Sequence, residues 1–594
     1  MQNHLIYAID FETYYSKTVG INSQGTWHYL MHPEFEAYRV SIVGSNGFKF
    51  VGSPKDVDWK VICEADVWVS HNASFDEPVY HFLQQTEQIE APEVTPVWQC
   101  TADLSAFLAS PRSLKQAAGV LLNEEVTKDI RDAMKGKRWT DMTPEFQKEV
   151  DEYALKDSEL CLRLWLEFSD KWPEHERRIS HHTREMGAEG LMIDKDSVEE
   201  GITTLRRQIW EAEQKIPWAD TDAKTLSAKA LAIECRNVGI EPPSSLAIDS
   251  EECAAWEEKY GDQYPWVGAM RTYRRCNALL KKVENINNRI RPDGRLGYSL
   301  MYCGAHTGRF SGGGSGINFQ NLPREELFGV NLRGMIVAPK DKKLIIADLA
   351  QIEPRVLAWF AEDWETLKMV ESGVDIYESH ARMTMGYDLD ISLKQAAEND
   401  PKYKKLRQLA KARVLGLGYG CGPDKFVIVA KTLAGLDITR EESEVIVSNW
   451  RESNPKIIAF WRKLENHFKM RVPEPVEIGL PSGREIRYRD TQSLAGNLTA
   501  RIPRQGKLIP VKIWGGVICE NVVQGASRDV FCDGVLRLED AGYKVILTVH
   551  DEVVVEAEPH QSADEVVKIL CQTPEWMPGL PVDAEAVESS VYVK

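Results

Sequence analysis

The chain has 594 residues, with 72 Lys+Arg against 90 Asp+Glu for a formal charge of -18, and 43% hydrophobic residues. That length exceeds one hydrophobic core and predicts three or four packed units, while the lack of any apolar run of about 18 residues excludes a membrane-spanning helix. The opening MQNHLIYAIDFET shows no basic-then-apolar leader, and 11 scattered cysteines without a CxxC pair argue against a disulfide framework or cysteine-built zinc site, so a cytoplasmic, reducing location is expected.

The first ~100 residues read as short strands, with LIYAIDF, RVSIVG and DVWVS as β-rich runs bounded by polar or glycine-containing segments. From about Ser113 to Lys171 the spacing of apolar residues becomes helical, ending in DEYALKDSELCLRLWLEF before Pro173, which closes an α/β unit of about 175 residues. Residues 1–170 hold 15 Lys+Arg and 27 Asp+Glu, a net of -12, so the remaining 57 against 63 carry only -6. The basic residues beyond that unit are clustered. Arg271, Arg274, Arg275, Lys281, Lys282, Arg289 and Arg291 form one stripe, and Lys402, Lys404, Lys405, Arg407, Lys411 and Arg413 form another. Such stripes can hold phosphates within an acidic chain, because local fields outweigh net charge inside a Debye length of about 8 Å.

A polar helical stretch runs to about residue 292, and GGGSG at 312–316 marks a flexible turn. A strand follows at 343–347, then helices to about residue 470, a hairpin-like LPSGREIRYRD, and strands around 543–556.

Asp10 and Glu12 stand two apart on the first strand, so both carboxylates leave the same face. Adjacent carboxylates repel, and a hard divalent cation is the usual remedy. LIYAI before them is apolar almost throughout, as in an interior strand, and the carboxyl end of such a strand is where α/β sheets place ligands. Asp76 follows the strand DVWVS, while Tyr153 and Asp157, four apart, share one helix face. In order, D-x-E, N-x-x-x-D and Y-x-x-x-D resemble the tyrosine-bearing DEDD exonucleases. That resemblance implies two Mg²⁺ or Mn²⁺ ions on Asp10, Glu12, Asp76 and Asp157, Tyr153 orienting the attacking water, and hydrolysis of a 3′ terminus.

Asp348 ends the apolar strand in KKLIIADLAQIEPR, and His550, Asp551 and Glu552 sit between two β-rich runs in KVILTVHDEVVVEAE, a hairpin by pattern. Two aspartates at such strand ends, brought together, make a divalent-ion site. Between them, Arg407, Lys411, Leu415 and Tyr419 recur every four residues and predict one helix face, drifting about 40° per step. Two cations, an apolar platform and a ring in that sequence suit a triphosphate, a sugar and a base.

These segments resemble the family A DNA polymerases, in the family's order and over nearly the whole chain. TGRFS (Thr307–Ser311) and FQNLP resemble the primer-template motif, DLAQIEPR motif A, RQLAK…YG motif B, and VHDE motif C, with ENVVQGASRD placing Gln524. The resemblance implies an α/β and α+β multidomain fold, an RNase H-like exonuclease domain followed by a right-hand polymerase of thumb, palm and fingers. Its expected bounds are 1–175 for the exonuclease, 176–300 for the thumb, 301–360 with 506–594 for the palm, and 361–505 for the fingers. It further implies Asp348, Asp551 and the Leu349 carbonyl as ligands of two Mg²⁺, with Mn²⁺ able to substitute, Arg407 and Lys411 on the triphosphate, and Lys411 as proton donor to the leaving group. Gln351 falls in its expected slot, and Glu353 lies beneath the sugar C2′. Glu552 and His550 support the primer terminus, Tyr419 stacks at the templating position, and Arg309, Gln320 and Gln524 face the primer-template minor groove. The expected partners are primer-template DNA, dNTPs, single-stranded 3′ ends and replication accessory proteins, with no membrane. The compact layout is similar to phage replicases, which would place the protein in the bacterial host cytoplasm.

Departures are few. Leu349, Ala350 and Pro354 stand where the commonest family form has Tyr, Ser and Leu; Leu415 replaces Phe or Tyr; and Glu520 occupies a slot that is Asn in the bacterial enzyme. Three alternatives compete: a single-subunit RNA polymerase, opposed by the bulk of Glu353; a pure exonuclease, opposed by the complete Arg407/Lys411/Tyr419 set; and a non-catalytic scaffold, which would not need six spaced carboxylates.

Overall fold

The apolar N-terminal run forms β1 (Ile6–Thr13), and the computed structural model, which describes residues 4–126, 130–247, 250–313, 317–504 and 507–593, sets it at the centre of a sheet. Its companions are β2 (Ala37–Gly44), β3 (Lys49–Gly52), β4 (Val67–Ser70) and β5 (Val97–Cys100), in the order β3-β2-β1-β4-β5. The β1–β2 and β2–β3 pairs are antiparallel, whereas β1–β4 and β4–β5 are parallel, the RNase H-like arrangement expected. A central strand is covered on both faces, which explains the unbroken apolar run. Tyr7, Ile9 and Phe11 pack with Trp59, Trp68 and Tyr80, while Ile6 and Ala8 share a core with Cys161 and Trp165. Helices α1 (Ala73–Gln85), α2 (Thr101–Phe107) and α3 (Pro144–Phe168) pack around this sheet. The stretch from Ser113 to Lys171 is not continuous helix. A π-helical turn at Ala118–Leu122 ends at Asn123 in the left-handed region (φ 52), and α3 starts afresh at Pro144 with a Thr143 cap.

Beyond it run α4 (Glu174–Glu189), α5 (Lys195–Glu213) and α6 (Pro265–Asn287), with α5 and α6 packed along each other. A separate small core of Trp218, Trp256 and Trp266 gathers the segments between them. Here the structure corrects the first basic stripe. Arg271 is buried against Glu257 at 3.2 Å, Arg289 donates to the Asn22 carbonyl at 2.7 Å, and Arg291 donates to the Ala188 carbonyl at 2.9 Å. Those cations satisfy internal acceptors, leaving Lys281 and Lys282 exposed and Arg274 and Arg275 half-buried. Of the turn expected at 312–316, Gly314, Ser315 and Gly316 lie outside the described residues.

The C-terminal half is built on β6 (Lys343–Leu349), which leads into α7 (Ile352–Phe360), α8 (Ile376–Thr384) and α9 (Pro401–Ala412). Three more helices reach Lys469. The expected hairpin is the first half of a four-stranded antiparallel sheet, β7 (Val476–Gly479), β8 (Glu485–Leu494), β9 (Asn497–Arg504) and β10 (Lys507–Ile513). After α10 (Gly515–Asp540), strands β11 (Lys544–Val549), β12 (Glu552–Ala557) and β13 (Ala584–Ser589) join β6 in the order β11-β12-β6-β13.

The N-terminal unit is fastened to the remainder by arginines. Arg489 on β8 donates to the Ala109 and Leu108 carbonyls at 2.8 and 2.7 Å, and Arg487 to the Phe107 carbonyl at 3.2 Å. These are the carbonyls that the end of α2 leaves without intrahelical partners. From the other side, Arg112 donates to the Tyr302 carbonyl at 2.9 Å.

Candidate active sites

In the N-terminal unit, Asp10 and Glu12 alternate with buried Ile9, Phe11 and Thr13 along β1, so the pleat presents both carboxylates on one side. Asp76 lies in the first turn of α1, where its carboxylate accepts the Phe11 amide at 3.0 Å and the Ser70 hydroxyl. The amide between Asp10 and Glu12 thereby fixes the third carboxylate beside the first two. Asp157 and Tyr153 project from α3, which is held to β2 by Ser41 donating to the Ala154 carbonyl at 2.8 Å. All five residues line one cleft of about 1010 Å³.

Burial, followed by the charges of Glu12, Asp76 and Asp157, holds the Asp10 carboxyl well above the usual carboxylate range. Burial pushes Asp76 up to about 7 despite its hydrogen bonds. The Tyr153 hydroxyl is raised by burial and by neighbouring Asp157. Such a set is unfavourable as bare anions, and its oxygen-only, convergent donors fit a hard divalent cation. Sequence reasoning missed Tyr15, Arg131 and Met301, which also line the cleft. None of the three belongs to the D-x-E, N-x-x-x-D or Y-x-x-x-D spacings, so no local signal marked them.

The second site lies where β6, β11 and β12 end together. Asp348 is paired in register with Glu552, and the Leu349 amide donates to the Asp551 carbonyl at 3.1 Å, which brings Asp348 and Asp551 to one edge. Burial and the facing Asp348 charge push Asp551 up to about 6. His550 turns the chain in the left-handed region (φ 57), and its amide donates to the Gln320 side-chain carbonyl at 3.1 Å. The amide nitrogen of the same Gln320 side chain donates to the Thr548 carbonyl at 2.5 Å, so Gln320 clamps the hairpin turn with both of its ends. Burial and the nearby Arg309 and Arg324 lower the His550 imidazole. Glu552 is buried and accepts the Tyr592 hydroxyl. Asp348, His550, Asp551 and Glu552 share a cavity of about 300 Å³ with Gln320, Arg324 and Arg333. Arg324, Arg333 and Tyr592 were not singled out from sequence; they reach the site from an irregular segment and the C-terminus.

The Arg407-to-Tyr419 stripe departs from a straight helix. α9 ends at Ala412, and Arg413–Leu417 form a π-helical turn that carries Leu415. Tyr419 lies beyond it, in the turn that follows Leu417, so the four-residue spacing does not run along one helix through to Tyr419. Arg407 is paired with Asp375 at 3.1 Å, and Lys411 occupies the last turn of α9, half-buried. Asp375 also caps α8, and the Ile376 amide donates to the Gln351 side chain at 3.2 Å, which ties the cationic helix to the segment after Asp348. Leu415 packs at the edge of the cluster holding Ile376 and Tyr377. Glu353 ion-pairs with Arg309 and accepts from the Tyr419 hydroxyl at 3.4 Å. Gln524 donates to Glu520 at 3.3 Å, and burial raises the Glu520 carboxyl.

The family model for DNA polymerase family A matches residues 250–586, more than half of the chain. The DNA polymerase of Bacillus phage SP02 is 24% identical over 99% of this chain and 99% of its own. The thermostable DNA polymerase I of Thermus aquaticus is 25% identical over 74% of this chain but only 51% of its own length, so this chain spans about half of that relative. Among solved structures, the POL domain of Pol1 from M. smegmatis, in complex with DNA primer-template and dNTP, superposes with a TM-score of 0.68 at 17% identity over 99% of this chain and 96% of that one, a likeness of fold.

Proposed function

The chain belongs to DNA polymerase family A, and on that premise we propose that it copies a primed DNA template from dNTPs and removes 3′-terminal nucleotides in its N-terminal cleft. The observation that carries the first part is the juxtaposition of Asp348 and Asp551 at one sheet edge, with Arg407 and Lys411 on the helix tied to the same segment. The second part rests on four carboxylates and a tyrosine converging in the cleft beside β1. In this reading residues 1–175 are the exonuclease, 176–300 the thumb, 301–360 with 506–594 the palm, and 361–505 the fingers.

Asp348, Asp551 and the Leu349 carbonyl would hold two Mg²⁺, or Mn²⁺, at the polymerase site, and Asp10, Glu12, Asp76 and Asp157 two at the exonuclease site. When bound, such ions neutralise the phosphoryl oxygens and lower the pKa of the attacking hydroxyl or water. The protein does the remaining work. Arg407 and Lys411 bind the triphosphate, and the Lys411 ammonium gives a proton to the departing pyrophosphate. Glu353 fills the space beneath the sugar C2′ and so excludes a ribose hydroxyl. Tyr419 offers its ring to the templating base, while Glu552 and His550 seat the primer terminus and Arg309, Gln320 and Gln524 read its minor groove. In the other cleft, the Tyr153 hydroxyl orients the water that attacks the terminal phosphodiester. The full-length match to a phage polymerase supports a phage-type replicative role, with replication accessory proteins as further partners and the host cytoplasm as its location.

One primer-extension gel tests this. Extension with dNTPs, negligible extension with NTPs and shortening of the primer without nucleotides are expected. Extension with NTPs would point to an RNA polymerase, and shortening without extension to an exonuclease alone.

A further inference from the structure

Arg484 follows Gly483 in the turn between β7 and β8 and is only 4% exposed, yet none of the chemistry above uses it. Its Nε donates to Asp529 Oδ1 on α10 at 2.8 Å, a carboxylate whose other oxygen accepts the Ser482 hydroxyl at 2.5 Å. Its Nη2 donates to two backbone carbonyls, those of Thr307 at 2.8 Å and Gly525 at 3.0 Å. The guanidinium fits a slot between two glycines. A Cβ on Gly308, which turns at φ +91, would stand 2.5 Å from Arg484 Nη1, and one on Gly525 would stand 3.0 Å from Nη2. A second buried arginine grips the same loop from the other end. Arg528 lies over the Phe310 ring at 5.6 Å while donating to Glu176 and, at 3.3 Å, to Asp529.

Gly525 adjoins Gln524 in the chain, and Thr307 stands two residues before Arg309; both side chains are read above as facing the primer-template minor groove. A partner for Asp529 would need one hydrogen bond; the fork instead spans two separate chain segments and fixes their spacing. We propose that Arg484 is a positioning residue for minor-groove recognition at the primer terminus, holding Arg309 and Gln524 in register through the Thr307 and Gly525 carbonyls. The inference rests on the reading of those two side chains as minor-groove contacts. The planar guanidinium, with donors in a fixed fork, transmits position in a way that a lysine cannot.

Single-turnover incorporation onto primers ending in adenine or 3-deazaadenine tests it, because the analogue removes the N3 acceptor from the minor groove. The wild type is expected to lose on the order of tenfold in rate on the analogue. Arg484→Lys keeps the buried charge beside Asp529 but not the fork, and Arg484→Met removes both. Each variant is expected to be slower on adenine and to show a penalty of no more than about twofold for the analogue, the non-additivity expected of coupled groups. Melting curves establish that each variant is folded, and Arg484→Lys decides alone if Arg484→Met is not. A full wild-type penalty in the folded variants would overturn the proposal and leave Arg484 as a structural ion pair. No penalty in the wild type would overturn it differently, by removing the minor-groove reading of Arg309 and Gln524 on which it stands.

Discussion

Glu353 holds the guanidinium of Arg309 in an ion pair, although in sequence the two residues flank the strand that carries Asp348. The residue assigned to exclude the ribose hydroxyl is therefore also a restraint on a residue assigned to the primer. Glu353→Ala is expected to raise ribonucleotide incorporation, since the obstacle is steric, and to weaken primer binding, since Arg309 loses its partner. Comparing rNTP and dNTP efficiencies alongside primer affinity checks both effects. An unchanged sugar ratio would assign the discrimination to another residue.

The two clefts are built on separate sheets and share no ligand, so their activities should separate by point mutation. Asp10→Ala is expected to abolish 3′ degradation of single-stranded DNA and spare extension. Asp348→Asn should slow extension by at least ~10³-fold and spare degradation, the scale of removing one charge-stabilising group from a reacting centre. Loss of both activities in either folded variant would rule out two independent sites.

The raised Asp551 carboxyl gives a pH dependence with a definite sign. Its folded pKa of about 6 lies above the ordinary value of 3.8, so between these values the folded state holds the extra proton. Stability of the metal-free protein should then fall as pH rises from about 4 to 6 and stay lowered above that. Asp551→Asn is expected to be more stable than wild type at pH 8, by up to about 3 kcal/mol, with little gain at pH 4. Calorimetry at both pH values checks this. Added Mg²⁺ should narrow the gap by stabilising only the wild type.

Of the first basic stripe, Lys281 and Lys282 remain exposed. DNA affinity should fall with salt at a slope of about -0.9 per neutralised phosphate, despite the net charge of -18. The double variant Lys281→Glu/Lys282→Glu is expected to flatten that slope by about one to two units. Binding titrations at several salt concentrations measure it, and an unaltered slope would place the DNA elsewhere.

Leucine at 415 has no hydrogen-bonding group to offer the triphosphate in place of a missing 3′-hydroxyl. Strong discrimination against dideoxynucleotides is expected, with Leu415→Tyr relaxing it by about one to two decades. The π-helical turn and the packing of Leu415 at the edge of the Ile376–Tyr377 cluster supply the competing outcome. If Leu415 only packs, the tyrosine will impair both nucleotide types equally in competitive incorporation.

What could be read from sequence was what local rules control. The run before Asp10 is apolar because β1 is covered on both faces, and its alternation placed Asp10 with Glu12; the β-rich flanks of His550 and Asp551 marked a hairpin in the same way. The π-helical turn at Arg413–Leu417 escaped because a regular four-residue spacing looks the same whether or not the helix widens. Arg271 and Arg289 read as surface cations because their acceptors, Glu257 and the Asn22 carbonyl, belong to other segments. The pairing of Arg407 with Asp375 and the role of Gln320 as a clamp are likewise tertiary facts without a periodic signature.

The arginine clasp on α2 bears on how the proposed exonuclease activity should be removed. Removing the first 175 residues would take away the carbonyls of Phe107, Leu108 and Ala109, leaving Arg489 without the acceptors named above and Arg487 with only the Glu477 and Glu485 carboxylates. Truncation and Asp10→Ala are therefore different experiments. The first alters the footing of the very turn that carries Arg484, and a change in copying accuracy after truncation would not by itself measure proofreading.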